Sequence, residues 1–425
     1  MLISRRAVLG GGAAAGIAAG LLPMPGLSHL AFAAGGADRG LLLIVHIRGG
    51  WDGLNFISPA SDPDFMAARV AELRVLDDGP TPGVALPNGP DPKIDFRLHP
   101  AAKPLAELYQ DSHLAFIHAA GLTNATRSHF VAMDMLDRGI ADNGAVASTP
   151  TGWLTRYLKV TGARGGAAAT SVSGSVAGEF AGWPSALAVP SLDGGFGPPG
   201  GPQATQVLRR LYGAAPGDIG AGGRDALAAM AEIDGKLPRD AQQKPIAYQP
   251  DHDVNYDPAA DFGRPLKTVA QLMKMDLGLE VATVDVGGWD THENQAGRFQ
   301  DRVGRLANGL AAFWNDTSRY HDRMTVVVLS EFGRRLRSNK SGGTDHGRGG
   351  VMAVLGGQVA GGRFYGNWPG LAPDRLDEGV DLAVTTDYRR VLTEVLERHS
   401  PDRPPTGVFG SYTYPGPLGI IRRAA

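Results

Sequence analysis

Side chains able to bind cations or move protons fall into five short clusters in this sequence. They are Asp52 with Asn55; Asn124, Ser128, His129 and Asp134; Asp285, Asp290, His292 and Asn294; Ser330 with Glu331; and Asp345 with His346. Carboxylates, imidazoles, amides and a hydroxyl form the donor set of a hard or borderline divalent cation such as Zn, Mg, Mn or Ca. None of the 425 residues is cysteine. Disulfides, thiolate zinc sites, iron–sulfur clusters and a cysteine nucleophile are therefore excluded.

Two clusters share one motif. Gly49-Gly50-Trp51-Asp52 and Gly287-Gly288-Trp289-Asp290 each follow an apolar run. Glycines let a chain leave a strand in conformations closed to other residues, with a carboxylate placed directly afterwards. Two such carboxylates at one place require a cation or a proton between them. Singly, each Asp also fits a turn cap and each Trp a packing position. The repetition, and the continuation Asp290-Thr291-His292, favours a site. Asp345-His346 sits in the glycine-framed loop Gly343-Thr344-Asp345-His346-Gly347, which suits metal ligation better than packing.

Ser128 stands at a predicted helix start, where free amides and the helix dipole favour a phosphate or sulfate. A metal-activated hydroxyl there would be a nucleophile; a plain N-cap is the alternative. His129 fits a surface or core histidine as well as a site. Glu331 is either a ligand or the partner of Arg334, Arg335 or Arg337. Those arginines could hold an anionic group or be solvated charge. Arg48, Arg127 and Asn55 are the further candidates for holding substrate. Trp51 and Trp289, beside the acidic loops, could stack on sugar rings.

The elements that must position these residues are short and apolar. Leu41–Ile47, Leu114–His118, Leu187–Val189, Val281–Val286, Met324–Leu329 and Val351–Leu355 read as strands buried on both faces. Helical periods fall between them at Arg127–Arg138, Leu266–Leu277, Arg298–Trp314 and Asp387–His399. This alternation predicts a three-layer α/β/α sandwich around a mostly parallel mixed sheet. Ligands in such sheets bind beyond the strands' carboxyl ends, where the five clusters fall. A Gly/Pro-rich insertion or cap is expected at about 162–262, within a single unit spanning 34–425. Sixty glycines and thirty prolines show no repeat period. The net charge of −2 carries no basic excess for nucleic acid.

Residues 1–33 read as an export signal. Ser4-Arg5-Arg6 precedes a weakly apolar Gly/Ala run too short to span a bilayer, and Ala31-Phe32-Ala33 offers a cleavage site. The paired arginines predict the twin-arginine route, with the Tat translocase and signal peptidase as partners. The processed chain is then expected to be periplasmic or secreted, with no stable membrane span.

Several segments together resemble a known family. The leader, then RGGWDG, SHF-x-A-x-D, GGWDTHENQ, VVVLSEFGR and GTDHGRGG, in that order, are similar to the domain of unknown function 1501 family. That family looks like a distant branch of the alkaline phosphatase/sulfatase-like superfamily. The resemblance implies an alkaline-phosphatase-like sheet, a divalent metal site and attack on phosphate or sulfate esters. By position it implies Asp52, Asp290, His292, Glu331, Asp345 and His346 as metal ligands and Ser128 as nucleophile. Phe332 follows Glu331 where the superfamily usually has His. That departure motivates one alternative, a non-catalytic exported binding or assembly protein, and Trp51 and Trp289 motivate another, a carbohydrate-binding protein.

Overall fold

In the computed structural model, residues 40–79, 82–163 and 166–422 are described. The export signal, with Arg5, Arg6 and its cleavage site, lies outside the described residues. The central sheet contains β1 (Leu41–Ile47), β2 (Leu114–Gly121), β3 (Ala169–Ser171), β4 (Leu187–Ala188) and β5 (Val281–Val286). It continues with β6 (Met324–Ser330), β7 (Gly350–Gly356), β8 (Phe364–Tyr365) and β9 (Thr386–Asp387). Their order is β8-β2-β7-β6-β1-β5-β3-β4, with β9 beside β2. Each of the six predicted strands is present. The short β3, β8 and β9 carry too few residues to show a pattern.

Every residue of β1 is buried, as its unbroken apolar run requires at the sheet centre. Alternate residues feed two cores. Leu43, Val45 and Ile47 pack with Phe299, Val303, Leu306 and Leu310 on one face. Leu42 and Ile44 pack with Met135, Leu136, Val391 and Val395 on the other. The helices supplying these residues are α1 (His129–Arg138), α2 (Gln295–Asp316) and α3 (Tyr388–His399). The result is the predicted three-layer arrangement. No helix among the described residues is long and apolar enough to cross a membrane.

Register does the positioning. Ile47 pairs with both Val286 and Ser330, so three parallel strands end level at one edge. β7 runs antiparallel to both β6 and β2. The loop before β7, carrying Asp345 and His346, therefore arrives at the edge from which the other strands depart. The stretch expected as an insertion is partly otherwise. β3 and β4 join the central sheet by parallel pairing. Helices Gly201–Ala214 and Gly217–Lys236 follow, the first with no buried residue and the second packing Ala229 and Ile233 against Leu187 and Val189. Their glycine and alanine content hid a helical period at Ala204, Val207, Leu208 and Leu211.

One buried polar group interrupts the second core. His46 falls on the same face as Leu42 and Ile44 and contacts Glu179, which is fully buried. Burial works against the imidazolium, but Glu179 outweighs it and raises the His46 pKa. Burial, then the Glu179 charge, push Asp137 on α1 up to about 7. An unfolded Asp titrates near 3.9. The native state thus holds a proton that the unfolded chain has released, and stability falls as pH climbs from about 4 to about 7. Asp137→Asn removes that loss. The variant should melt about 2 °C or more above the parent at pH 8 and gain less at pH 5, in paired thermal melts.

Candidate metal centre

The two Gly-Gly-Trp-Asp loops lie against one another. Gly49 has φ of +125°, and a Cβ there would sit 2.4 Å from the Asp290 amide, so only glycine fits this crossing. A single buried side chain laces the loops together. Arg334 Nε donates to Gly50 O at 2.8 Å and Nη1 to Thr344 O at 2.7 Å. Its Nη2 donates to Gly49 O, to Trp289 O at 3.1 Å and to Asp290 Oδ1 at 2.6 Å. The guanidinium is wholly inaccessible and reaches three loops at once.

Three histidines surround Asp290. His346 Nδ1 lies 2.9 Å from the Arg127 carbonyl oxygen. His292 Nδ1 lies 3.3 Å from Asp345 Oδ1, which also accepts from Asn339 at 3.1 Å. His129, the first residue of α1, has Nδ1 2.8 Å from Glu331 Oε1. Each Nδ1 faces an oxygen that can only accept and so carries a proton, which leaves each Nε2 to present a lone pair to a cation or, with none bound, to take a second proton shared with Asp290. The Nε2 atoms of His346 and His292 stand 2.9 Å apart, and 2.9 and 3.0 Å from Asp290 Oδ1. His129 Nε2 is 3.5 Å from Asp290 Oδ2, buried, and without a hydrogen-bond partner.

Acceptors this close repel unless a cation or an added proton lies among them. His129, Asp290 and His346 offer ligand atoms that all fall within 4.8 Å of one another. The donor set suits a borderline divalent metal, and an oxygen partner on the far nitrogen is the habit of metal-ligating histidines. The bond to Glu331 raises the His129 pKa, so an ion bound there must displace a proton from that ring, while the carboxylates are held ionised. Against the opposing effect of burial, bonds from His346 and Arg334 hold Asp290 down at about 2. Burial likewise opposes the Glu331 charge, yet bonds from His129, Ser330 and the Gly49 amide hold it at about 2. Burial lowers the His346 pKa, which keeps its lone pair available.

The sequence candidates divide accordingly. Asp290, His292 and His346 meet at one point, and Asp345 and Glu331 stand behind histidines as their anchors. Glu331 is not itself aimed at that point, because its oxygens are occupied by His129, Ser330 and the Gly49 amide. Asp52 is not at the centre. Arg69 grips both its oxygens at 2.5 and 2.9 Å, and Gln295 donates to it at 2.6 Å. Asn55 is buried beside it, donating to Leu73 O. Trp51 and Trp289 are each 1% exposed, with ring centroids 6.0 Å apart, so neither presents a face to a ligand. Arg48 is engaged by Asp285 at 2.9 Å, and Arg127 by Asp381 and Glu378. Arg127 serves the site through its carbonyl. Ser128 caps α1, exposed, with no side-chain capping bond.

Two contributors were named from the sequence without being given their roles. His129 falls in the SHF-x-A-x-D segment but fits a surface or core histidine equally; its partner Glu331 is 202 residues away. Arg334 looked like one of three surface arginines. The only signal was its position four residues past the end of a fully apolar strand.

A family model described as "Protein of unknown function (DUF1501)" matches residues 224–402. The family resemblance is shown over that span, which holds Asp290, His292, Arg334, Asp345 and His346. No curated protein matches. Among solved structures, the PsFucS1 sulfatase from Pseudoalteromonas sp. is similar at 11% identity and a TM-score of 0.37, covering 91% of this chain and 74% of that one. A protein from Pyrococcus horikoshii is similar at 9% identity and a TM-score of 0.25, covering 75% of this chain and 85% of that one.

The Asp52–Arg69 pair gives a test that separates architecture from ligation. Asp52→Ala leaves a buried guanidinium unpaired and should lower stability by about 3–5 kcal/mol in chemical denaturation. The metal content of the fraction that still folds should match the parent's.

Proposed function

We propose that this chain is an exported, metal-dependent hydrolase acting on phosphate or sulfate esters. The observation that carries the reading is the convergence of the His292 and His346 Nε2 atoms on Asp290, with the unpartnered His129 Nε2 beside them. His129, Asp290, His292 and His346 would hold the ion. A bound divalent metal supplies Lewis-acid stabilisation of charge developing on an ester's oxygens. The chain's own contributions are fixed independently of it. Glu331, the Arg127 carbonyl and Asp345 orient the three imidazoles, and Arg334 holds Asp290 ionised and in place. Ser128, exposed at the first turn of α1 beside His129, is the nucleophile in this reading. The ester class comes from the family resemblance, and export comes from Arg5-Arg6 and the residues after it.

Elemental analysis of the purified protein should find close to one zinc, manganese or similar ion per chain. Asp290→Asn and His346→Ala should each lose it and lower ester turnover by about 100-fold or more. Ser128→Ala should retain the metal and lose turnover. A metal-free parent, or an Asp290→Asn protein with full activity, would sink the reading.

A second reading rests on Arg334. Its guanidinium already neutralises Asp290 at 2.6 Å, so the loops could stand as a non-catalytic binding surface. For a glycan ligand the aromatic contact would be Phe130, 86% exposed and adjacent to His129, rather than the buried tryptophans. Glycan binding by the metal-free protein, with no turnover, distinguishes this case.

A further inference from the structure

A pocket enclosing about 780 Å³, part of it open to solvent, lies beside the metal cluster. Asp345 belongs to both: it lines the pocket, and its carboxylate touches His292. Arg335, Arg337 and Ser338 line one part of the pocket, and Leu371, Leu376 and Val380 another.

Both arginines of this pocket keep donors that no acceptor among the described residues meets. Arg335 Nε is buried without a hydrogen-bond partner, and its nearest carboxylate oxygen, Asp381 Oδ1, is 3.9 Å away. The other Asp381 oxygen is already held by Arg127. Arg337 is exposed and makes no ion pair among the described residues. Two carboxylates share the pocket. Asp345 accepts from Asn339 and faces His292, and Asp64 is the other carboxylate of the lining. The Arg335 side chain is 40% exposed, so together with Arg337 it can present guanidinium N–H groups to an oxyanion entering the pocket. Leu371, Leu376 and Val380 give the same pocket an aliphatic lining that suits a carbon skeleton.

We propose that this pocket binds a second anionic group of the substrate, a carboxylate, sulfate or phosphate, through Arg335 and Arg337. The ester group would lie at the metal cluster, with only the His292 ring and the Asp345 carboxylate between the two sites. That both sites serve one substrate rests on the hydrolase reading; the anion site itself does not.

The test has two arms. In the first, the full chain is kept in chelator and titrated by calorimetry with inorganic sulfate, inorganic phosphate and succinate, which also tells the three oxyanion sources apart. At least one should bind the parent. Arg337→Gln, an exposed change that leaves the fold intact, should weaken it about threefold, and Arg335→Gln/Arg337→Gln about tenfold or more. Arg335→Lys/Arg337→Lys should recover part of the loss, because it restores charge without the fork. No binding to the parent, or equal binding by Arg337→Gln and the double Gln variant, overturns the site. In the second arm, the double Gln variant should raise KM for a sulfate or phosphate ester bearing another acidic group. It should leave kcat, and KM for the matching ester without that group, unchanged. Equal effects on both esters overturn the shared-substrate claim while the anion site stands. A parent that hydrolyses neither ester overturns the hydrolase reading and the shared substrate together, and the first arm still decides the anion site.

Discussion

The end of the sheet is organised around one buried cation. Arg334 meets four carbonyl oxygens and the Asp290 carboxylate, three of these five acceptors sharing the two N–H groups of Nη2. A guanidinium out of water is tolerated only when its donors are met, so the two glycine loops and the loop before β7 must all be in place together. Asp290 is then fixed from behind, with its open side toward the histidines. A lysine could not do this, since it lacks the planar fork that reaches three loops. The electrostatic state of the centre follows. Asp290 stays ionised, and the Nε2 atoms of the three imidazoles are directed toward it.

The same constraint explains what the site borrows from the fold. β1, β5 and β6 end level because their register is fixed along buried, apolar faces. The reversed direction of β7 then brings Asp345 and His346 to that edge. α1 adds His129 at its first turn, where the ring meets Glu331 at the end of β6. Charged pairs away from the centre are architectural. Asp52 with Arg69 anchors the first loop from below, and Arg127 with Asp381 ties the chain before α1 to the segment past 376.

Much of this was legible in the residues because the strands are apolar throughout and the glycine motifs follow them directly. Asp290 and His292 could be read as site residues because they follow a predicted strand directly, and His346 because of its glycine-framed loop, whose arrival at the same edge depends on the reversed β7. Asp52 misled for a physical reason. A carboxylate after Gly-Gly-Trp looks the same whether it faces an ion or an arginine, and Arg69 lies in a stretch with no pattern of its own. Trp51 and Trp289 misled likewise, since an aromatic beside an acidic loop can turn inward or outward. The role of His129 was missed because its anchor is distant in sequence, and spacing says nothing about pairs formed across a sheet.

The reversed strand has a kinetic consequence. The groups at the centre come from residues 129, 290, 292 and 346, and the imidazole anchors from 127, 331 and 345. Asp290 and His292 are neighbours in the chain, but His129 and His346 reach them only across the sheet. Contacts of such sequence separation are made late, after loop-closure entropy has been overcome. The four side chains therefore meet only once β7 has inserted between β2 and β6, and the site is completed by long-range pairing of the sheet rather than by any local segment.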